Sequence, residues 1–187
     1  RYGARVYGPA GEDIPARDTA LAGGDAIEVV GVRFDVLDVP GHTRGHIAYY
    51  NGAERILLAG DTLFAGGCGR LFEGTPQQMH ASLAKLAQLP GDTRVYCAHE
   101  YTLSNLRFAR AVEPDNAALA ARIRACEEKR ARGEPTVPST IGEELATNPF
   151  LRCDVPAVRA AAAAREPGAG RDAVSTFAAI RAWKNSF

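Results

Sequence analysis

The sequence predicts a mixed α/β unit over residues 1–112, followed by a helical unit over residues 113–187. Two observations support this division. β-Branched and aromatic runs separated by glycine-rich turns fill the first hundred residues, and no strand pattern is visible in the last third. A length of 187 residues suffices for one domain with a smaller partner domain.

Six short runs have the composition of strands, at residues 5–7, 26–30, 33–39, 47–50, 55–59 and 93–97. Gly31 separates the second run from the third, and Asn51-Gly52 separates the fourth from the fifth. Both positions predict hairpins, and Asn-Gly is the usual pair for a two-residue turn.

Helices are predicted between and after the strands. Thr75-Pro76-Gln77-Gln78 has the pattern of a capping box with proline at the first helical position, so a helix should begin there. Ser104 predicts the start of a second helix that runs to about Val112. In the helical unit, three helices are expected: from Asp115 or Asn116 to about Gly133, over 156–165, and over 173–185 with Asp172 as the cap.

The composition excludes several classes of partner. Lysine plus arginine and aspartate plus glutamate each number 22, without a basic stripe, so neither nucleic acid nor a membrane surface is expected. No apolar run approaches the roughly 20 residues of a membrane span, and no signal peptide is visible. The four cysteines form no Cys-x-x-Cys pair, which predicts reduced, buried thiols in a cytoplasmic protein. We expect a monomer.

Three predicted strands end in a residue that can bind a metal. His42 follows the strand at 33–39, Asp61 follows the strand at 55–59, and His99 follows the strand at 93–97. A small residue precedes each of them, which lets the backbone approach a ligand closely. Two imidazoles and one carboxylate at one edge of a sheet suit zinc, iron or manganese.

Other chemistries fit less well. The Gly-x-Ser-x-Gly motif of serine hydrolases is absent from the sequence, and the glycine-rich segment 66–70 lacks the Lys-Ser/Thr ending of a phosphate loop. Cys68 as a nucleophile would need a nearby base. His46 is predicted to make a structural hydrogen bond, and His80 to lie on a helix away from the site.

Several segments resemble the glyoxalase II (hydroxyacylglutathione hydrolase) family. The similar segments are 40–46 (PGHTRGH), 60–64 (GDTLF), 67–75 (GCGRLFEGT), 95–102 (VYCAHEYT), 133–140 (GEPTVPST), 148–152 (NPFLR) and the terminal Arg181-x-x-Lys184-x-x-Phe187. The resemblance implies the αββα metallo-β-lactamase sandwich with its N-terminal portion missing, followed by a helical domain that helps to bind glutathione.

The resemblance also implies the role of each matching residue. His42 becomes a ligand of a first metal, Asp61 the carboxylate that bridges two metals and their hydroxide, and His99 a ligand of the second metal. The matching substrate positions are Arg70, Phe72, Tyr101, Asn105, Arg181 and Lys184. The family often has lysine where Arg70 stands and tyrosine where Phe72 stands, so a cation is kept and a hydroxyl contact is lost.

One family motif has no counterpart here. The His-x-His-x-Asp-His segment lies upstream of the matched region, and none of the four histidines of this chain belongs to such a segment. The ligand set for two divalent metals, zinc by preference, is therefore incomplete. We expect the chain to be a fragment, or else a truncated relative, with an unpaired sheet edge.

The expected activity of the complete enzyme is hydrolysis of the thioester S-D-lactoylglutathione to D-lactate and glutathione, a step of methylglyoxal detoxification. Two alternatives stay open. One is another glutathione-thiol enzyme of the metallo-β-lactamase fold, such as a persulfide dioxygenase. The other is a non-catalytic glutathione-binding module.

Overall fold

The computed structural model describes residues 3–187. Within this range the strands are β1 (Tyr7–Pro9), β2 (Thr19–Leu21), β3 (Ala26–Val29), β4 (Val32–Asp38), β5 (Ile47–Asn51), β6 (Ile56–Gly60), β7 (Leu63–Phe64), β8 (Gly67–Cys68), β9 (Arg94–Cys97) and β10 (Ser139–Thr140). The helices are α1 (Pro76–Leu86), α2 (Thr102–Val112), α3 (Ala117–Ala131), α4 (Ile141–Thr147), α5 (Pro156–Arg165) and α6 (Ala173–Ser186), with a 3-10 turn at Pro149–Leu151.

The main sheet has six strands in the order β10-β9-β6-β5-β4-β3. β6 and β9 are parallel, and the other neighbouring pairs are antiparallel. β4 and β6 both pair antiparallel with β5, so β4, β6 and β9 run in one direction. Their carboxyl ends therefore meet at the same edge of the sheet, which is the arrangement that the predicted metal ligands require.

The first predicted hairpin is confirmed. The second hairpin also forms, but the predicted length of its turn is wrong. β3 and β4 pair through Val29 and Val32, on either side of Gly31. In the second hairpin, Asn51 is itself a strand residue that pairs with Ile56, so the turn has four residues instead of two. Asn51 Oδ1 accepts a hydrogen bond from the Glu54 amide at 2.7 Å, which closes the longer turn.

Local capping signals predicted most helix starts correctly. Thr75 and Gln78 form the capping box of α1, Asn116 caps α3, and Asp172 caps α6. The predicted start at Ser104 is wrong, because α2 begins at Thr102 without any side-chain cap. Thr102 Oγ1 instead accepts a hydrogen bond from Thr136 Oγ1 at 2.8 Å, so a distant segment fixes this end of the helix.

The last third contains a strand that the sequence did not predict. β10 has two residues and pairs antiparallel with β9, and α4 follows it directly. Two residues are too short for any alternating pattern. The segment that closes the edge of the sheet therefore belongs to the part of the chain predicted to be helical.

One apolar core joins the sheet to the C-terminal helices. Leu57 of β6 and Met79 of α1 lie in the same buried cluster as Phe150, Phe177 and Ile180. The cluster therefore includes side chains from both sides of residue 112, and the domain boundary at that residue stays a prediction.

The opposite edge of the sheet is more open. β3 is the edge strand there, and Val30, at the turn that follows it, is 96% exposed.

Among residues 3–187, no helix combines the length and the apolar character needed to cross a bilayer.

Candidate metal centre

The fold brings the three predicted metal ligands to one edge of the sheet. Asp61 follows β6 directly, His99 follows β9 after Ala98, and His42 lies in the loop after β4. The bend into Asp61 requires glycine, because Gly60 has φ +53° and a Cβ there would lie 2.5 Å from His46 Nε2.

Asp61 and His99 face each other. Asp61 Oδ1 lies 3.4 Å from His99 Nε2, and half of the His99 side chain is exposed. Two donor atoms that each lie about 2.1 Å from a tetrahedral ion are themselves about 3.4 Å apart. The observed spacing therefore fits two ligands of one ion.

His42 is oriented by a backbone carbonyl. Its Nδ1 lies 2.8 Å from the carbonyl oxygen of Arg70, and because a carbonyl only accepts, Nδ1 carries the proton. The lone pair is then on Nε2. A histidine that donates one ring N–H to a carbonyl and keeps the other nitrogen free has the usual form of a metal ligand.

His46 supports the site from behind, as the sequence predicted. Its Nε2 accepts a hydrogen bond from the Asp61 amide at 3.0 Å. Burial lowers the pKa of His46, which favours the neutral form that this bond needs. The prediction of a structural hydrogen bond for His46 is confirmed.

Gly69 connects the two sides of the centre. Its amide donates to the Thr62 carbonyl at 3.2 Å. A Cβ at this position would lie 1.9 Å from the Asp61 carbonyl oxygen and 3.3 Å from His42 Nδ1. No side chain fits there, so glycine allows the His42 ring and the Asp61 backbone to pack against the same segment.

The donor set is incomplete in the part of the chain that the structure describes. No group of three or more His, Cys, Asp or Glu side chains in residues 3–187 stands close enough together to hold a metal ion. Asp61 and His99 are brought together, and His42 is oriented nearby without joining them. The three residues fit a divalent ion by donor type and by the observed hydrogen bonds, and they leave coordination positions unfilled.

Three predicted substrate residues have exposed side chains near the centre. The guanidinium of Arg70 lies 5.7 Å from the centre of the Phe72 ring, and that ring contacts His42 at 4.9 Å between centroids. Tyr101 stacks on His99 at 4.9 Å. Phe72 and Tyr101 are both more than half exposed. A cavity of about 270 Å³ lies beside Tyr101, with Arg130 in its wall.

The other three predicted substrate residues are more enclosed. Asn105 is buried and donates to the Ala65 carbonyl at 3.1 Å. Arg181 is also buried, and its guanidinium donates to the Cys68 carbonyl at 3.1 Å and to Asn185. Lys184 is half-buried with its ammonium 3.4 Å from the Ser104 carbonyl. Burial, and then the positive charge of Arg181, lower the pKa of Lys184.

Sequence reasoning missed a set of buried polar residues behind the centre. Glu144, Arg122 and Asn148 are all buried. Only Asn148 lay in a segment that the sequence singled out. A carboxylate in a helix with no sequence motif around it gives no signal of burial, so Glu144 and Arg122 could not be found from one sequence.

Comparisons with known proteins match the whole chain. The model of the metallo-beta-lactamase superfamily matches residues 1–99, and the model of the hydroxyacylglutathione hydrolase C-terminus matches residues 100–187. A hydroxyacylglutathione hydrolase from Ectopseudomonas mendocina (strain ymp) is 60% identical over 185 residues, which cover 99% of this chain and 72% of that protein. The chain belongs to the hydroxyacylglutathione hydrolase family.

Other relatives agree with this assignment. A hydroxyacylglutathione hydrolase from Cupriavidus taiwanensis is 59% identical over 187 residues, covering 97% of this chain and 70% of that protein. The crystal structure of ETHE1 from Myxococcus xanthus matches with a TM-score of 0.55 and 27% identity, over 78% of this chain and 51% of that one. The chain thus spans about half the length of that solved structure.

Membership of the hydroxyacylglutathione hydrolase family confirms the metallo-β-lactamase fold and the predicted enzyme class, a thiolester hydrolase. It also implies that the family's centre binds divalent metal, in agreement with the donor types of His42, Asp61 and His99. The two family models meet between residues 99 and 100, directly after His99.

Proposed function

We propose that this chain carries the downstream half of the metal centre and the glutathione-binding part of a hydroxyacylglutathione hydrolase that acts on S-D-lactoylglutathione. The products are D-lactate and glutathione. The observation that carries the proposal is the 3.4 Å approach of Asp61 to His99, at a sheet edge where His42 is held in the ligand tautomer.

His42, Asp61 and His99 would hold the metal, with zinc favoured and iron or manganese also compatible with these donors. When bound, such ions lower the pKa of water toward about 7 and withdraw charge from a carbonyl oxygen. His46 holds the backbone of Asp61, and the Arg70 carbonyl holds His42, so both ligands are oriented before any ion or substrate arrives.

Cationic and aromatic side chains in this part of the chain suit a glutathione thioester. Arg70 and Lys184 supply positive charge for the carboxylates of glutathione. Phe72 and Tyr101 present aromatic surface beside His42 and His99, where they would cover the thioester and limit the access of water. Arg181 would act on the substrate site indirectly, since its guanidinium donates to the backbone carbonyl of Cys68, the residue before Gly69.

Cys68, in the β7–β8 hairpin, does not suit an acyl-enzyme route. Cys68 is buried, and burial raises its pKa to about 11. A thiol with this pKa is almost wholly protonated at neutral pH and is a poor nucleophile. Direct attack by water therefore suits the site better than a covalent thioester exchange.

A cytoplasmic location is also part of the proposal. All four cysteines, Cys68, Cys97, Cys126 and Cys153, are free. Unpaired thiols are typical of a reducing compartment, which is also where glutathione thioesters form from reduced glutathione.

One observation favours a second candidate, a glutathione-binding module without catalysis. The described residues contain no group of three metal-binding side chains. A module of this kind would bind glutathione through Arg70 and Lys184 and would retain little or no metal.

The experiment is to load the 187-residue chain with zinc and to measure both bound metal and hydrolysis of S-D-lactoylglutathione. Asp61→Ala should lose the bound metal, and with it any hydrolysis that the chain supports, because it removes the carboxylate that faces His99. Asp92→Ala is the matched control, since Asp92 lies on the surface and pairs with Arg55. Glutathione binding without metal would identify the module, and metal binding that survives Asp61→Ala would refute the proposed ligand set.

A further inference from the structure

The side chain of Glu144 is fully buried, and its contacts join three parts of the fold. One carboxylate oxygen accepts from the Arg122 guanidinium at 2.6 Å. The other accepts from the Gly66 amide at 2.8 Å and from the Asn148 side chain at 2.9 Å. A helix of the C-terminal half thus binds the backbone of the β7–β8 hairpin, which lies between Asp61 and Arg70 in the sequence.

Buried side chains from several elements also bind the carbonyl groups of the hairpin. Its carbonyls at Phe64 and Gly67 accept from Asn148 at 3.4 and 2.9 Å. Asn105 and Arg181 bind the carbonyls of Ala65 and Cys68. A two-residue-per-strand hairpin has few ladder bonds of its own, so these side chains fix where its backbone lies.

The turn at the tip of the hairpin depends on Glu144. Gly66 has φ +70°, and a Cβ there would lie 2.8 Å from the Leu106 side chain, so the amide is enclosed as well as constrained. Glu144 is the acceptor for this amide. An enclosed N–H without an acceptor is unfavourable enough to move so short a turn.

The hairpin leads directly into the metal centre. The residue after β8 is Gly69, which packs against the Asp61 carbonyl, and the next is Arg70, whose carbonyl holds His42 Nδ1. A displacement of the hairpin therefore moves the carbonyl that sets the orientation and the tautomer of His42.

We propose that Glu144 is a positioning residue for the metal centre: by holding the Gly66 amide, it places the β7–β8 hairpin so that the Arg70 carbonyl orients His42. Arg122 keeps Glu144 in place, since it also donates to Thr147 of the same helix at 2.7 Å. The inference rests on the proposed function only in taking His42 as a metal ligand.

The test compares two double variants that both remove the buried charges. Glu144→Gln with Arg122→Met keeps an oxygen acceptor for Gly66, and Glu144→Leu with Arg122→Met removes it. The His42 tautomer is read in the metal-free chain from long-range ¹H–¹⁵N NMR spectra, and zinc affinity from competition with a chelator. Because the tautomer needs no metal and no activity, it tests the positioning role even if thioester hydrolysis is absent.

We expect the glutamine variant to keep a single His42 tautomer protonated at Nδ1. The leucine variant should show mixed tautomers and a roughly tenfold weaker zinc affinity, the lower end of the effect of losing a partner of a metal ligand. The matched control is Glu113→Gln with Arg152→Met, which removes another ion pair, with contacts of 2.8 and 3.0 Å between the buried Glu113 and the partly buried Arg152. In the described residues neither side chain hydrogen-bonds to the β7–β8 hairpin, although Arg152 also donates to the Leu145 carbonyl of α4.

The proposal is overturned if the leucine variant keeps the wild-type tautomer and affinity, or if the Glu113 control changes them as much. If the leucine variant does not fold, Glu144→Asp replaces it. This substitution keeps the charge and withdraws the acceptor from Gly66 by one methylene. A folded Glu144→Asp chain with mixed His42 tautomers would support the proposal, and one with the wild-type tautomer would refute it.

Discussion

The two sides of the Asp61 carboxylate are built differently. On the hairpin side, the segment from Phe64 to Arg70 is held by buried side chains of the C-terminal helices, with Glu144 and Asn148 at its centre. On the other side, His99 is half exposed, and its ring lies beside Asp61, Phe64 and Tyr101. One side is fixed by the fold, and the other is open to solvent.

This difference predicts that the ligands on the two sides respond differently to metal binding. A ligand that is held by outer hydrogen bonds keeps its geometry without metal, whereas an exposed ligand can adjust when metal or substrate binds. We expect changes on the hairpin side to lower stability and metal affinity together. Changes on the His99 side should lower metal affinity alone.

The largest effect is expected from Arg122→Leu. This change leaves the Glu144 carboxylate buried without its cation, and loss of one partner of a buried pair typically costs about 3–5 kcal/mol. Urea unfolding followed by circular dichroism gives the free energy of unfolding. Arg130→Leu is the control, because Arg130 is 43% exposed and its 3.6 Å pair with Glu100 lies near the surface. Arg130→Leu should lower the free energy of unfolding by less than about 1 kcal/mol. Equal losses of stability in Arg122→Leu and Arg130→Leu would contradict the view that the hairpin side is fixed by buried contacts.

A second prediction concerns the open side. His99→Ala should weaken zinc affinity by more than about 100-fold, since it removes a ligand and not merely an outer partner. The free energy of unfolding of the metal-free chain should change by less than about 0.5 kcal/mol, as is usual for exposed positions. Competition with a chelator measures the first quantity and urea unfolding the second.

His80→Ala is the matched histidine variant for this measurement. His80 lies on α1, and its ring contacts Phe177 at 6.0 Å, away from the centre. Its zinc affinity should equal that of the wild type. A loss of stability in His99→Ala as large as that of Arg122→Leu would show that the two sides are equally fixed.

The sequence predicted the metal ligands better than the hairpin that holds them. His42, Asp61 and His99 each follow a strand with a clear β-branched or aromatic pattern, so their common edge could be inferred. The β7–β8 hairpin has two residues in each strand, and its glycines resemble a simple loop. Its conformation depends on side chains up to 113 residues away in sequence, as between Arg181 and Cys68, and such contacts have no local signature.

The same reason explains the errors in the fold. Capping signals at Thr75, Asn116 and Asp172 act within three residues, and each predicted its helix correctly. The N-cap of α2 is Tyr101, so the predicted cap at Ser104 was three residues late, because Thr136, a distant residue, binds Thr102. Strand β10 was missed because it is defined by its pairing with β9, and its own two residues carry no strand pattern.

The smallest expected effect is that of Gly69→Ala, which acts where the two sides meet. The added Cβ would lie 1.9 Å from the Asp61 carbonyl oxygen, so the hairpin exit or the Asp61 backbone must move. Overpacking of this kind costs about 1–3 kcal/mol, and here it should also weaken zinc affinity, because both ligands contact this segment.

Gly91→Ala is the matched control for this substitution, because its Cβ would meet the nearest atom, the Gly142 Cα, at an ordinary 3.8 Å. It should leave zinc affinity unchanged and should not lower the free energy of unfolding, since removing a glycine restricts the unfolded chain. Loss of stability in Gly69→Ala without loss of zinc affinity would show that the hairpin can move without moving His42 or Asp61. That result would separate the fixed side from the metal centre and would remove the physical link on which the role of Glu144 depends.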